Sequence, residues 1–70
     1  MISKLDLHGI KHEDVDRIVE NFVLMNKPPL TIMCGNSDTM IRLVRKTLDN
    51  IYGKYDIGWR KWNHNTYKIL

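Results

Sequence analysis

Two kinds of apolar spacing alternate along this chain, and their order constrains the fold more than any other feature. Leu5-Asp6-Leu7-His8-Gly9 alternates apolar with polar residues, as a β-strand with one buried face does. Leu5 and Leu7 should therefore point into a core, while Asp6 and His8 share the opposite face. Leu30-Thr31-Ile32-Met33-Cys34, closed by Gly35-Asn36, predicts a second, buried strand.

Helical spacing follows each of these strands. Three carboxylates lie near the first turn of the first helix, where they suit the positive end of the helix dipole, and Asn26 with Pro28-Pro29 ends it. Ser37 or Asp38 is a suitable N-cap for the second helix, which we expect to end at Gly53 in the left-handed conformation. The predicted buried stripes are Val15, Ile18, Val19, Phe22 and Met25 in the first helix, and Met40, Ile41, Val44, Leu48 and Ile51 in the second.

The carboxyl-terminal part of the chain predicts a β-hairpin. Residues 55–62 are aromatic and prone to β structure, Asn63-His64-Asn65 supplies the turn, and residues 66–70 alternate again. The resulting order, β-α-β-α-β-β, predicts an α/β (α+β) two-layer sandwich in which two helices cover one face of a four-stranded mixed sheet.

The length of the chain allows one domain. A chain of 70 residues buries only about 60% of its unfolded surface, so we expect a single domain over residues 1–70 with an open site. No apolar run approaches the roughly 18 residues of a membrane span, and Met1-Ile2-Ser3-Lys4 is followed by Asp6 rather than by a signal-peptide core. The single cysteine cannot form an internal disulfide, and a closed zinc site is not expected. We expect a stand-alone domain in a reducing cytoplasm, without a membrane partner.

The charge of the chain is unevenly distributed. Residues 1–40 carry a net charge of −2, whereas residues 41–70 carry +5. A basic half favours a polyanionic partner. Trp59-Arg60-Lys61-Trp62 and Tyr67-Lys68 also interleave rings with cations, which suits stacking on bases and pairing with phosphates. Closure of the core by one of the tryptophans explains the same pattern equally well.

Three groups of residues could carry chemistry. The Asp6 carboxylate could orient the His8 imidazole, raise its basicity or share a metal with it, although two solvated polar residues would look the same. Backbone N–H groups of the turn Cys34-Gly35-Asn36-Ser37 could bind a phosphate, or the turn could be a plain helix cap. Cys34 is either a nucleophile paired with His8 or, as is usual for a free cysteine at a strand end, a small buried apolar residue.

Leu5-Asp6-Leu7-His8-Gly9 resembles the opening motif of the small MutS-related (Smr) domain. The likeness continues over nearly the whole chain, in order, through Glu13-Asp14-Val15, Ile32-Met33-Cys34-Gly35, Ile41-Arg42 and Thr66-Tyr67-Lys68-Ile69-Leu70. Only the first of these motifs is specific. The resemblance implies a fold similar to the C-terminal domain of bacterial initiation factor three.

Smr domains are associated with nucleic-acid binding and, in several members, with nicking or cleavage of DNA or RNA. Carried over by position, the resemblance implies that Asp6 and His8 are catalytic. The second family motif, usually His-Gly-x-Gly, is altered here at Cys34 and Ser37, so binding is better supported than cleavage. If Mg²⁺ or Mn²⁺ takes part, Asp6 is its one candidate ligand, and a single carboxylate makes a poor metal cage. The predicted nucleic-acid-binding residues are Gly9, Cys34, Gly35, Asn36, Ser37, Arg42, Arg45, Lys46, Arg60 and Lys61.

Three functions remain open from the sequence. The chain could be a small endonuclease, a module that holds structured or branched DNA or RNA without cutting it, or an effector that docks on a protein partner through its aromatic hairpin. The sequence has no alanine but eight isoleucines and six asparagines. This bias suits an AT-rich genome, which adds the expectation of a virus-encoded protein that acts in the host cytoplasm.

Overall fold

The first two strands lie side by side and are joined by a helix. In the computed structural model, which describes residues 3–70, strand β1 (Ser3–Asp6) pairs in parallel with strand β2 (Leu30–Met33). Helix α1 (Val15–Met25) connects them and is preceded by a short 3-10 turn, His12–Asp14. The predicted absence of a signal peptide rests partly on Met1 and Ile2, which lie outside the described residues.

Helix α2 (Asp38–Tyr55) begins where the sequence predicts. Ser37 is its N-cap, and the Ser37 hydroxyl accepts a hydrogen bond from the Met40 N–H at 3.2 Å. The predicted apolar stripe is buried along its whole length, together with Thr47. The Thr47 hydroxyl donates to the Asp16 carboxylate of α1, so a polar contact joins the two helices beside the core.

The chain ends in a hairpin that completes the sheet. Strand β3 (Trp59–Asn63) and strand β4 (Thr66–Ile69) are antiparallel, and β4 pairs antiparallel with β2. The strand order is β1-β2-β4-β3. The structure therefore confirms a small α+β domain with a four-stranded mixed sheet and two helices. None of the helices within residues 3–70 is long and apolar enough to cross a membrane.

One core holds the two helices against one face of the sheet. Alternate strand residues (Leu5, Leu30, Ile32, Tyr67, Ile69), with Leu7 just after β1, pack with the apolar stripes of both helices. Tyr67 is the largest fully buried side chain, and its ring meets the half-buried Trp59 ring edge to face at 5.5 Å. The opposite face of the sheet carries the intervening residues and contributes no member to this core.

Several predicted boundaries are wrong, for local reasons. Strand β1 ends at Asp6 rather than Gly9, because the chain turns at His8 and Gly9, where φ is +79°. Strand β3 begins at Trp59 rather than at residue 55, because α2 continues to Tyr55. Met25, the last residue of α1, is 82% exposed and does not belong to the buried stripe.

The end of α2 is the largest of these corrections. Gly53 is helical, and the left-handed residue that ends the helix is Asp56, with φ 57° and ψ 40°. The Asp56 N–H donates to the Tyr52 carbonyl at 2.9 Å, which closes the last turn. Aspartate is among the few residues other than glycine that visit this conformation, because its short side chain can hydrogen-bond locally.

We expect Gly53→Ala to raise the free energy of unfolding by about 0.5–1 kcal/mol, because alanine is the better helix former. An added Cβ at Gly53 meets no atom within 4 Å. The control is Gly9→Ala, which also meets no atom but forces alanine to φ +79°, and should lower that free energy by about 1 kcal/mol. Urea denaturation followed by circular dichroism measures both. A loss of stability in Gly53→Ala would contradict the helical assignment.

Candidate nucleic-acid interface

Three turns of the chain lie close together at the edge of the sheet that is formed by the carboxyl ends of β1 and β2. The Leu7 N–H donates to the Met33 carbonyl at 2.9 Å, so the ends of β1 and β2 lie next to each other. The Cys34 N–H donates to the Asn65 carbonyl at 2.8 Å, which brings the β3–β4 turn to the same edge. The parallel pairing of β1 and β2 therefore gathers His8, the 34–37 turn and His64 at one end of the domain.

Asp6 acts on the backbone of His8. The Asp6 Oδ1 accepts a hydrogen bond from the His8 backbone N–H at 2.9 Å. The Ile10 N–H donates to the Leu7 carbonyl at 3.1 Å and closes the turn, whose third residue, Gly9, has the positive φ of a type II turn. One oxygen of Asp6 thus stabilises the turn that exposes His8. The prediction that both side chains share one strand face is wrong, because the strand has already ended.

The turn over residues 34–37 is a helix cap, one of the two alternatives that the sequence left open. Gly35 has φ +74°, the left-handed region that glycine enters without strain. Beyond it, the Ser37 hydroxyl accepts from the Met40 N–H, and the Ser37 carbonyl accepts from the Ile41 N–H at 3.0 Å. Asp38 places a carboxylate in the first turn of the helix, where it opposes the approach of a phosphate.

The Cys34 thiol lies inside the core. The residue is 2% exposed, and burial raises the pKa of its thiol to about 11, an effect that the positive charge of Lys61 partly offsets. The thiol is therefore protonated at neutral pH, and a protonated thiol is a poor nucleophile. The interpretation of Cys34 as a small buried apolar residue fits this environment, whereas a role as nucleophile does not.

An open groove between α2 and the hairpin collects the positive charge at this edge. Arg42 and Arg45 of α2 and Lys61 of β3 line it, above a floor that includes Tyr67 and Ile41. The Tyr67 hydroxyl donates to the Ile41 carbonyl at 3.3 Å, and burial raises its pKa, so it remains a donor. We call this feature the basic groove, defined by Arg42, Arg45 and Lys61.

The other predicted binding residues lie elsewhere. Lys46 is exposed on α2 outside the basic groove, and Arg60 lies on the opposite face of β3, with its guanidinium 5.7 Å from the centre of the Trp62 ring. Gly9, Asn36 and Ser37 are exposed in the turns at the edge, and Gly35 is half-buried. Alternation along β3 separates Arg60 from Lys61, although they are neighbours in sequence.

Sequence reasoning missed two contributors to the groove. His64 lies at its rim, with its Nε2 3.8 Å from the Asp38 Oδ1, and both side chains are well exposed. Tyr67 forms part of its floor. The alternation of residues 66–70 could have placed Tyr67 on the inner face, but no local signal relates His64 to Asp38. Their proximity follows from the hydrogen bond between Cys34 and Asn65, which only the folded sheet brings about.

Asp6 is the one predicted ligand for Mg²⁺ or Mn²⁺. Within residues 3–70 no group of three or more His, Cys, Asp and Glu side chains is placed to hold a metal ion. Asp6, the one predicted ligand, already uses Oδ1 in the turn. Mg²⁺ is usually held by one or two carboxylates together with water and substrate phosphates, so the free oxygen of Asp6 could supply one ligand of such a site.

Comparison of the chain with family models, curated proteins and solved structures gave no match. The resemblance to the Smr domain therefore stays a prediction that rests on the sequence motifs.

We expect the Cys34 thiol to react with iodoacetamide at pH 8 about 100-fold more slowly in the folded protein than in urea. The shift of its pKa from 9.0 to about 11 reduces the reactive thiolate by about that factor, and only the thiolate attacks. The folded rate should rise about tenfold per pH unit until the pH approaches 11. Mass spectrometry of timed samples measures both rates. Equal rates in the folded and unfolded protein would show that the thiol is accessible.

Proposed function

We propose that this domain binds structured or branched nucleic acid and that the basic groove holds the phosphate backbone. The observation that carries the proposal is the convergence of Arg42, Arg45 and Lys61, from two separate elements, on one open groove. Asp38 is the one carboxylate on its lining, and its neighbour His64 offsets that charge when protonated.

The shape and chemistry of the groove suit a charged polymer. Arginine presents a planar fork of donors that can bind a phosphate through two hydrogen bonds at once. An open groove lets a backbone enter and leave at both ends, which an enclosed pocket would not. Binding of this kind releases counterions, so its affinity falls steeply as salt rises. The groove recognises the charge and spacing of phosphate groups, and none of its lining residues implies recognition of a base sequence.

The proposal extends to the family and the fold relationship. The Smr motifs, the β-α-β-α-β-β order and the β1-β2-β4-β3 sheet support a fold similar to the C-terminal domain of bacterial initiation factor three. A reducing cytoplasmic location suits the single buried thiol. Within this proposal, Gly35 shapes the turn that leads into α2, and Gly9 shapes the turn after β1.

We expect Arg45→Gln to weaken binding to a branched DNA junction and to reduce the slope of log affinity against log salt by about 1, the effect of losing one phosphate contact. Lys46→Gln is the matched control: it removes the same charge from the adjacent residue of the same helix, outside the basic groove. Fluorescence anisotropy at several salt concentrations measures the slopes. Equal effects of the two variants would mean that binding follows overall charge and that the groove is not the site.

Nicking of a phosphodiester bond is the second candidate function. The observation that favours it is the exposed His8, which the Asp6-stabilised turn holds at the same edge as the start of α2. In this proposal the His8 imidazole takes a proton from the attacking water, whose oxygen bonds to phosphorus as the P–O bond to the leaving sugar oxygen breaks. The leaving oxygen takes a proton from solvent, and Arg42 stabilises the charge that develops on the phosphate. Asp6 acts as a positioning residue through the turn. We propose that this step does not depend on a metal.

We expect His8→Ala to reduce nicking of supercoiled plasmid by about 100-fold or more, the usual contribution of a general acid or base. His12→Ala is the control, since His12 is also exposed and lies only four residues further along the chain. Both variants are assayed by gel electrophoresis with Mg²⁺, with Mn²⁺ and with EDTA, and each lane is scored for retention as well as cleavage. Undiminished nicking in His8→Ala would overturn this assignment. If the wild-type protein retards the plasmid without nicking it, only the nucleic-acid-binding function would be supported.

A further inference from the structure

One face of the sheet is left without a covering layer. Both helices pack on the other face, and no element within residues 3–70 covers this one. Cross-strand pairing aligns Lys4 with Thr31, Thr31 with Lys68, and Lys68 with Arg60. We call this surface the open sheet face. Its residues are Lys4, Asp6, Thr31, Met33, Arg60, Trp62, Thr66 and Lys68.

Trp62 stands on the open sheet face between two cations. The residue is 56% exposed, the Lys68 Nζ lies 4.5 Å from the ring centre, and the Arg60 guanidinium carbon lies 5.7 Å from it. The strand pairing is irregular here: Lys61 pairs with Tyr67 and Asn63 with Thr66, so Trp62 has no partner residue on β4. A bulge of this kind re-aims a side chain at a sheet edge.

The core gives no reason for Trp62 to be a tryptophan. Trp59, its counterpart on the inner side of β3, packs against the fully buried Tyr67 and contributes to the core. Trp62 contributes nothing to that core and leaves a large apolar ring in water. The nearby cations orient the ring by cation–π attraction, but an exposed ring between cations is also the arrangement that stacks on a base and pairs with its phosphates.

We propose that the open sheet face binds single-stranded nucleic acid, with Trp62 stacked on an unpaired base and Arg60 and Lys68 paired with the flanking phosphates. The charge of this surface supports the choice of occupant, since it carries three cations, Lys4, Arg60 and Lys68, and a single carboxylate, Asp6. An acidic peptide would satisfy the cations but would leave the ring without a partner. A single strand alternates planar rings with negative charges, as this face requires.

This inference rests on the proposed function in that it takes nucleic acid as the partner, but it names a different surface and a different class of substrate. Strand β3 separates the two surfaces, with Lys61 in the basic groove and Arg60 and Trp62 on the open sheet face. A forked or flapped duplex offers both structures at once, a duplex arm for the groove and an unpaired strand for the face. Stacking does not depend on the sugar, so DNA and RNA strands should both bind.

The test compares Trp62→Leu with Tyr52→Leu. Tyr52 is an equally exposed aromatic residue, 55% against 56% for Trp62, and lies on α2 in the helix layer. The probes are labelled oligothymidylate and oligouridylate of about 12 nucleotides, within the range of known single-strand sites, and a blunt DNA duplex. Anisotropy measures affinity, and circular dichroism checks that each variant is folded. We expect Trp62→Leu to weaken binding of both single strands about tenfold or more, with duplex binding unchanged and Tyr52→Leu close to wild type.

A fluorescence measurement tests the stacking itself. Base stacking should quench Trp62, so oligothymidylate should quench wild-type emission but leave the emission of Trp62→Phe, whose one remaining tryptophan is Trp59, unchanged. If single strands bind but Trp62→Leu matches the wild type, this inference is overturned while the proposed function stands. If Trp62→Leu loses single-strand binding but Arg45→Gln leaves junction binding intact, the groove assignment fails and this inference holds. If no probe binds, both the proposed function and this inference are contradicted.

Discussion

The apolar layer between the helices and one face of the sheet is the constraint on which the other features of this domain depend. A chain of 70 residues has a net stability of only about 3–5 kcal/mol, so it can maintain one such layer and no second one. Fully buried residues from β2, β4 and both helices fill it together with Leu7, and Tyr67 is the largest of them. Charged and exposed aromatic side chains are therefore distributed around this layer, on the groove beside it or on the uncovered face of the sheet.

Strand β3 links the two surfaces to which we assign function. Its alternation turns Trp59 and Lys61 towards the helix side and Arg60 and Trp62 towards the open side. The strand is at the edge of the sheet and has one neighbour, β4. An edge strand tolerates a bulge, and the bulge after Lys61 is where the exposed tryptophan stands. The four residues Trp59-Arg60-Lys61-Trp62 thus contribute to the core, to the basic groove and to the open sheet face.

The fold was largely predictable because its elements depend on local periodicity. The stripes of both helices, the Ser37 cap, the alternating first strand and the buried second strand follow from residues near in sequence. The structure has each of them, with different ends and with Val23 added to the buried side of α1. The predicted ends of these elements are wrong where two local conformational preferences compete. Gly53 can end a helix, but α2 continues past it to Asp56, which adopts the left-handed conformation and donates its N–H to the Tyr52 carbonyl. In the same way, Asp6 stabilises a turn two residues on instead of extending its strand.

The sequence by itself determined the class of fold, the basic carboxyl-terminal half and the set of residues that could bind a phosphate. It could not decide which of them meet, because proximity across strands depends on register and on the order of strands in the sheet. The tertiary structure joined Arg42, Arg45 and Lys61 in one groove, sent Arg60 to the other face and enclosed Cys34 in the core. The physical reason is that side-chain direction is local, whereas the pairing of β2 with β4, which brings the hairpin beside α2, links residues more than thirty positions apart.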